Sequence, residues 1–207
     1  MRSLLFLFLS ALSCLSFANQ HAMQTLNELM ADPVTQQLAY QAGQERITFC
    51  KHCHGEDGNS KRNYIPNLAE QNPIYLFSAF EKFASGERQD FVMSKLAKNL
   101  SLEDRVNIAL YYGQQKVANT AADDQQLSEQ GLIKFQQICQ GCHGAQGQGK
   151  EDMPRLAGQP AEYIKRTLEA FRSKDPSRST SVMFSIAEQM SDADILAVAS
   201  YIQALKP

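Results

Sequence analysis

The 207-residue chain lacks an excess of charge of either sign: 20 lysines and arginines stand against 22 aspartates and glutamates, a formal net charge of −2. With no polybasic surface it has no electrostatic footprint for nucleic acid or anionic lipid. Long hydrophobic runs are also missing. The apolar stretch from Leu4 to Leu9, continuing through Leu12, is too short to span a bilayer, and no other follows. Arg2 before it and Ser16-Phe17-Ala18 after it make residues 1–18 read as a secretory signal peptide cleaved after Ala18. Such a leader implies a periplasmic destination and no transmembrane anchor after cleavage, while leaving peripheral membrane association open. Cysteine is scarce as well. Of five, Cys14 falls in the leader, where Ala11-Leu12-Ser13-Cys14 loosely matches a lipid-attachment site, though alanine replaces the leucine expected three residues before the cysteine.

The other four cysteines lie in two pentapeptides, Cys50-Lys51-His52-Cys53-His54 and Cys139-Gln140-Gly141-Cys142-His143. A c-type haem is held by thioethers from two cysteines two residues apart, with the next histidine placed under the ring as an iron ligand. Two motifs therefore predict two haem c groups, with His54 and His143 on the irons. Structural zinc is disfavoured because 85 residues separate Cys53 from Cys139, far more than a zinc ribbon uses. A thioredoxin-like redox pair leaves unexplained the histidine and glycine that follow both pairs, at Gly55 and Gly144. A disulfide closed over two residues would constrain little chain entropy.

The chain also repeats itself. Pro66-Asn67-Leu68-Ala69 matches Pro154-Arg155-Leu156-Ala157; Gln71 answers Gln159 and Tyr75 answers Tyr163 at equal offsets from each proline. Later, residues 99–104 match 189–194, and Tyr111 answers Tyr201. One haem domain is written twice. The expected boundaries are an N-terminal extension at 19–40, a first domain at 41–118, a linker at 119–126 within the polar stretch 116–126, and a second domain at 127–207.

Each copy reads as helical. Ser101 and Ser191 precede an acidic residue by three positions, a capping-box pattern opening a last helix. Helices over Gly43–Phe49 and Gly131–Ile138 should run into the motifs, and Ile74–Phe83 and Ala161–Phe171 supply a middle helix per copy. No segment reads as a strand, so the fold class is all-α, two tandem helical domains related by the internal repeat. In the extension, Met23, Leu26, Leu29 and Met30 fit a helical face that Asp32-Pro33 would end, packing against the first domain; His21 reads as a surface residue.

Between the motifs the only methionine is Met93, 39 residues after His54 and seven before Leu100. Met183 stands 40 residues after His143 and seven before Met190, which occupies the position of Leu100. A lone methionine is often a flexible core filler. The matched register favours instead Met93 and Met183 as sixth iron ligands, because His/Met coordination is a standard closure of c-type haem. Met153, without a counterpart in the first copy, and Met190 read as packing residues.

Tandem CxxCH motifs, the Pro-x-Leu-Ala and glutamine segments, and late methionines followed by Leu/Met-Ser-x-x-Asp together resemble the dihaem cytochrome c4 family over about Gly43 to Leu205. The resemblance implies an exported electron carrier of two class I cytochrome c domains, with redox-protein donor and acceptor, the acceptor a membrane-bound terminal oxidase. It also implies that the carbonyls of Pro66 and Pro154 accept from the ligand histidines, a proline marking a mere turn being the plainer reading. Tyr75, Tyr163, Arg88 and Arg178 become candidates for haem propionate contacts, with solvated arginines as the alternative. His52 sits inside the attachment loop and should not reach an iron held by His54. Two closed irons predict outer-sphere electron transfer and no enzyme activity. The alternatives are a dihaem oxidoreductase such as a peroxidase, which would need a labile ligand and acid/base groups, and a cytochrome subunit of a larger oxidase or dehydrogenase.

Overall fold

The computed structural model describes residues 23–178 and 181–206, so the leader, Cys14 and His21 lie outside the described residues. Helix α1 (23–31) stops at Asp32, whose carboxylate accepts from the backbone N–H of Val34 and Thr35 and so caps α2 (Pro33–Arg46) with Pro33 in the first turn. Then come α3 (Lys51–His54), α4 (Pro73–Ser85), α5 (Met93–Asn99) and α6 (Leu102–Gly113). The second half repeats the order with α7 (Gln125–Ile138), α8 (Gln140–His143), α9 (Ala161–Arg172), α10 (Met183–Glu188) and α11 (Asp192–Ala204). Among the described residues there is no strand, only an isolated bridge between Lys150 and Met153.

The first motif helix differs from the expectation. It starts at Pro33, across the anticipated 40/41 boundary, and ends at Arg46; Ile47 turns into the core and a tight turn leads to Cys50. The cap at Asp32 explains this, because one residue both stops α1 and starts α2. In the second half α7 runs directly to Cys139, beginning at Gln125 inside the expected linker under the Asp124 cap. The short helices α5 and α10, each opened by a methionine, had no periodicity long enough to be read.

Each half has its own core. In the first, Phe77, Phe80 and Phe83 of α4 pack with Val106, Ile108, Leu110 and Tyr112 of α6, and Leu26 of α1 is fully buried there with Met23 and Leu29 against it. The extension thus packs on the first domain as expected. In the second, Phe135 of α7 meets Ile164 and Leu168 of α9 and Ile195, Val198 and Ile202 of α11. Helix pairs correspond: α2 lies on α6 as α7 lies on α11, and α4 on α5 and α6 as α9 on α10 and α11. Both long crossings close on a glycine. A Cβ on Gly43 would stand 2.2 Å from the Asn107 carbonyl oxygen, and one on Gly131 2.0 Å from that of Ala197.

Both predicted capping boxes are present, Ser101 with Asp104 and Ser191 with Asp194. Lys134 Nζ stands 2.9 Å from the Asp194 carboxylate and, with the Ser191 hydrogen bonds, holds its pKa down at about 2. A pKa below the unfolded value gives stability that is present above about pH 4 and lost as pH falls towards about 2. Asp194→Asn is therefore expected to cost about 1 kcal/mol at neutral pH. In urea titrations its deficit against the parent should shrink across that acid window; a deficit independent of pH would contradict the assignment.

Candidate functional site

Each motif forms a single helical turn whose histidine points inward. His54 Nδ1 lies 2.9 Å from the Pro66 carbonyl oxygen and His143 Nδ1 3.0 Å from that of Pro154. A carbonyl only accepts, so Nδ1 carries the proton and Nε2 carries the lone pair. Nε2 has no hydrogen-bond partner among the described residues. Both imidazoles are buried, and burial pushes their pKa below the usual histidine value against the opposing effect of the proline carbonyl. They are neutral at neutral pH and held in one orientation. The glycine after each motif has φ of +80° at Gly55 and +84° at Gly144, turning the chain away sharply once the histidine is placed. His52 is exposed.

Cys50, Cys53, Cys139 and Cys142 are free thiols. Among the described residues no three His, Cys, Asp or Glu side chains form a group able to hold a bare metal ion, so the two cysteine pairs are not assembled as a zinc site. Met93 heads α5 and Met183 heads α10; both are half-buried, packed on the first and second cores respectively. Their backbone N–H groups are pinned alike, Met93 by Asp90 Oδ1 at 2.8 Å and Met183 by Ser181 Oγ at 3.2 Å. Met190 is a core residue as read from the sequence. Met153 is not: it is exposed in the loop after α8, and its backbone bonds to Lys150. With an acidic stretch on one side and a proline on the other, its loop never reaches the core.

Tyr75, Arg88, Tyr163 and Arg178 converge between the two halves. Arg88 Nη2 lies 3.3 Å from the Tyr163 hydroxyl and Arg178 Nη2 3.0 Å from Thr167 Oγ1. Each guanidinium also covers the aromatic ring that precedes it, Arg88 over Phe83 at 4.6 Å and Arg178 over Phe171 at 5.3 Å. Burial, and then the like charge of Arg88, push the Arg178 pKa down. Neither arginine forms an ion pair with a carboxylate among the described residues. Two half-buried cations without anions, two neutral imidazoles with a free Nε2, paired thiols and a thioether in each half fit haem c with its propionates.

A cytochrome c family model matches residues 128–206. Cytochrome c4 of Pseudomonas aeruginosa is 36% identical over 175 residues, covering 79% of this chain and 87% of that protein. The chain belongs to the cytochrome c4 family. A solved structure of reduced recombinant cytochrome c4 from Pseudomonas stutzeri superposes with a TM-score of 0.75 at 33% identity, covering 80% of this chain and 98% of the other. A thiosulfate dehydrogenase electron acceptor from Thiomonas intermedia is 34% identical, with 80% of this chain and 82% of that protein covered. The chain is thus an electron carrier with two haem c groups and redox partners, built of two tandem cytochrome c domains. No helix among the described residues is long and apolar enough to cross a membrane.

Sequence reasoning missed the seam that joins the two cytochrome domains. The Gln159 amide bonds both sides of Asn67, accepting from its N–H at 2.9 Å and donating to its carbonyl at 2.7 Å. The Gln71 amide does the same to Arg155, accepting at 2.7 Å and donating at 3.0 Å. All four residues are buried. Since Asn67 and Gln71 correspond to Arg155 and Gln159 in the repeat, the two clamps are related by a pseudo-twofold axis. The Arg155 guanidinium crosses the seam to the carbonyls of Ala69 and Glu70, with Nη1 left unpartnered. Burial lowers its pKa to about 10, with nearby Glu70 opposing, so it remains a cation at neutral pH. The matched glutamines were visible in the sequence, but equal offsets show equivalence and not partnership.

Proposed function

We propose that Cys50 and Cys53 would hold one haem and Cys139 and Cys142 the other, with His54 and Met93, and His143 and Met183, as the residues that would bind each iron. The observation that carries this reading is the tautomer: both buried histidines spend Nδ1 on a proline carbonyl and present Nε2. Bound haem supplies the one-electron Fe(II)/Fe(III) cycle. The residues around it would orient the imidazoles through Pro66 and Pro154, exclude water beside Met93 and Met183 through the two cores, neutralise propionates through Arg88 and Arg178, and offer them hydroxyl donors from Tyr75 and Tyr163. In the expected domain division the carrier units are 41–118 and 127–207, joined by 119–126, with 19–40 as an extension.

The leader read at residues 1–18 supports a periplasmic location for the mature chain, and the acceptor we propose is a membrane-bound terminal oxidase. Similarity to the thiosulfate dehydrogenase electron acceptor supports a dehydrogenase of reduced sulfur compounds as the donor. The holoprotein should show under denaturing mass spectrometry the chain from about Asn19 plus two haems, and in visible redox titration two low-spin centres slow to bind carbon monoxide. It should be reduced by thiosulfate dehydrogenase with thiosulfate and reoxidised by oxidase-containing membranes. A bare-chain mass would overturn haem attachment, a high-spin resting haem would overturn the ligand set, and inertness towards the dehydrogenase would overturn that donor alone.

A further inference from the structure

The two seams of hydrogen bonds described above, histidine to proline and glutamine to backbone, meet on the same peptide groups. The Pro66 carbonyl that holds His54 and the Asn67 N–H that binds Gln159 belong to one peptide unit. The Pro154 carbonyl that holds His143 and the Arg155 N–H that binds Gln71 belong to another. We propose that each domain tunes the haem ligand of the other: Gln159 of the second domain through the Pro66–Asn67 peptide to His54, and Gln71 of the first through the Pro154–Arg155 peptide to His143. The inference rests on the reading of His54 and His143 as iron ligands.

The physics is that of a polarised chain of hydrogen bonds. A peptide N–H that donates to an amide oxygen sends electron density to its own carbonyl, which then accepts more strongly from the imidazole Nδ1–H. A stronger acceptor at Nδ1 raises the basicity of Nε2, as partners of metal-bound histidines generally do. A more basic ligand stabilises Fe(III), so an intact relay lowers the potential of the haem it serves. Both relays are buried, with Gln71 at 4% and Gln159 at 2% exposure, so neither competes with bulk water. The second bond of each clamp, from the glutamine Nε2 to the carbonyl of Asn67 or Arg155, fixes the amide orientation so that Oε1 faces the N–H. Gln71 and Gln159 are thus positioning residues, and their effect is crossed between the domains.

Crossing makes the proposal testable in the fully reduced, diamagnetic holoprotein by nitrogen-edited NMR of the two histidine Nδ1–H protons, with haem-resolved redox titration. Gln159→Met should move the His54 Nδ1–H upfield and raise the potential of the first haem, leaving His143 and the second haem unchanged. Gln71→Met should give the mirror result. Gln159→Glu keeps an acceptor on the Asn67 N–H and should return the His54 signal to the parental position or downfield of it; it also serves if the methionine variant does not fold. Effects on the haem of the mutated domain, on both haems equally, or on neither would each overturn the relay. If the parent shows no ring-current-shifted Nδ1–H signals, the ligand assignment itself fails; if it shows them and they ignore both glutamines, the relay alone fails.

Discussion

Gly131→Ala should be among the most destabilising single-methyl changes in the second domain, at about 3 kcal/mol or more. The added Cβ would stand 2.0 Å from the Ala197 carbonyl oxygen and 2.5 Å from its carbon. These are backbone atoms of α11, so no rotamer change relieves the overlap and α7 must lift off α11. Overpacking in a well-filled core usually costs about 1–3 kcal/mol, and a clash with rigid backbone belongs at the upper end or beyond it. Alanine's better helix propensity returns at most about 1 kcal/mol. Since α7 leads directly into Cys139, opening this crossing also displaces the second haem motif. Urea unfolding followed at the haem absorbance should show a lowered midpoint, with Gly43→Ala giving the corresponding loss in the first domain through Asn107. A change below about 1 kcal/mol in both would show that the crossings are looser than drawn.

The largest functional effect is expected from Met93→Leu. Leucine fills the same half-buried place at the head of α5 at little cost in packing, since Leu for Met is nearly volume-conserving. It offers no lone pair to iron. The first haem should then become high-spin and bind carbon monoxide rapidly, while the second stays closed. Met183→Leu should open the second haem and spare the first, and the double variant should open both. Met153→Leu and Met190→Leu should leave both spectra unaltered, because Met153 lies exposed outside the cores and Met190 is buried in one. A carbon monoxide titration separates these outcomes, and an unchanged spectrum in Met93→Leu would remove that residue from the ligand set.

Much of this arrangement was legible because its signals are local. A CxxCH motif needs five residues to be recognised, and the two capping boxes need four, so both appeared where expected. The repeat supplied the rest by comparison: Met93 is the only methionine between the motifs, and Met183 in the same register turned it from a core filler into a candidate ligand. What stayed hidden depends on where one element stands against another. Asp32 was visible as a helix stop, but its second role as the cap of α2 depends on the chain continuing straight on. Tyr75, Arg88, Tyr163 and Arg178 were placed near a haem, yet that each half contributes two of them to a shared cluster follows only from the packed domains. Gln71 and Gln159 could be paired with each other by offset; their true partners, Arg155 and Asn67, are crossed by a symmetry axis that no linear comparison contains.

That axis is imperfect within the buried clamp itself. Where the first half carries neutral Asn67, the second carries the Arg155 cation, 1% exposed and reaching into the first half, where among the described residues it binds backbone carbonyls and has no carboxylate within ion-pair distance. A fixed charge in a poorly polarisable interior acts over longer range than one in water. A charge carried by one copy alone is one source of difference between two otherwise repeated haem environments. Duplication supplies two resting places for an electron, and an unmatched residue at the seam is a way of making them unequal.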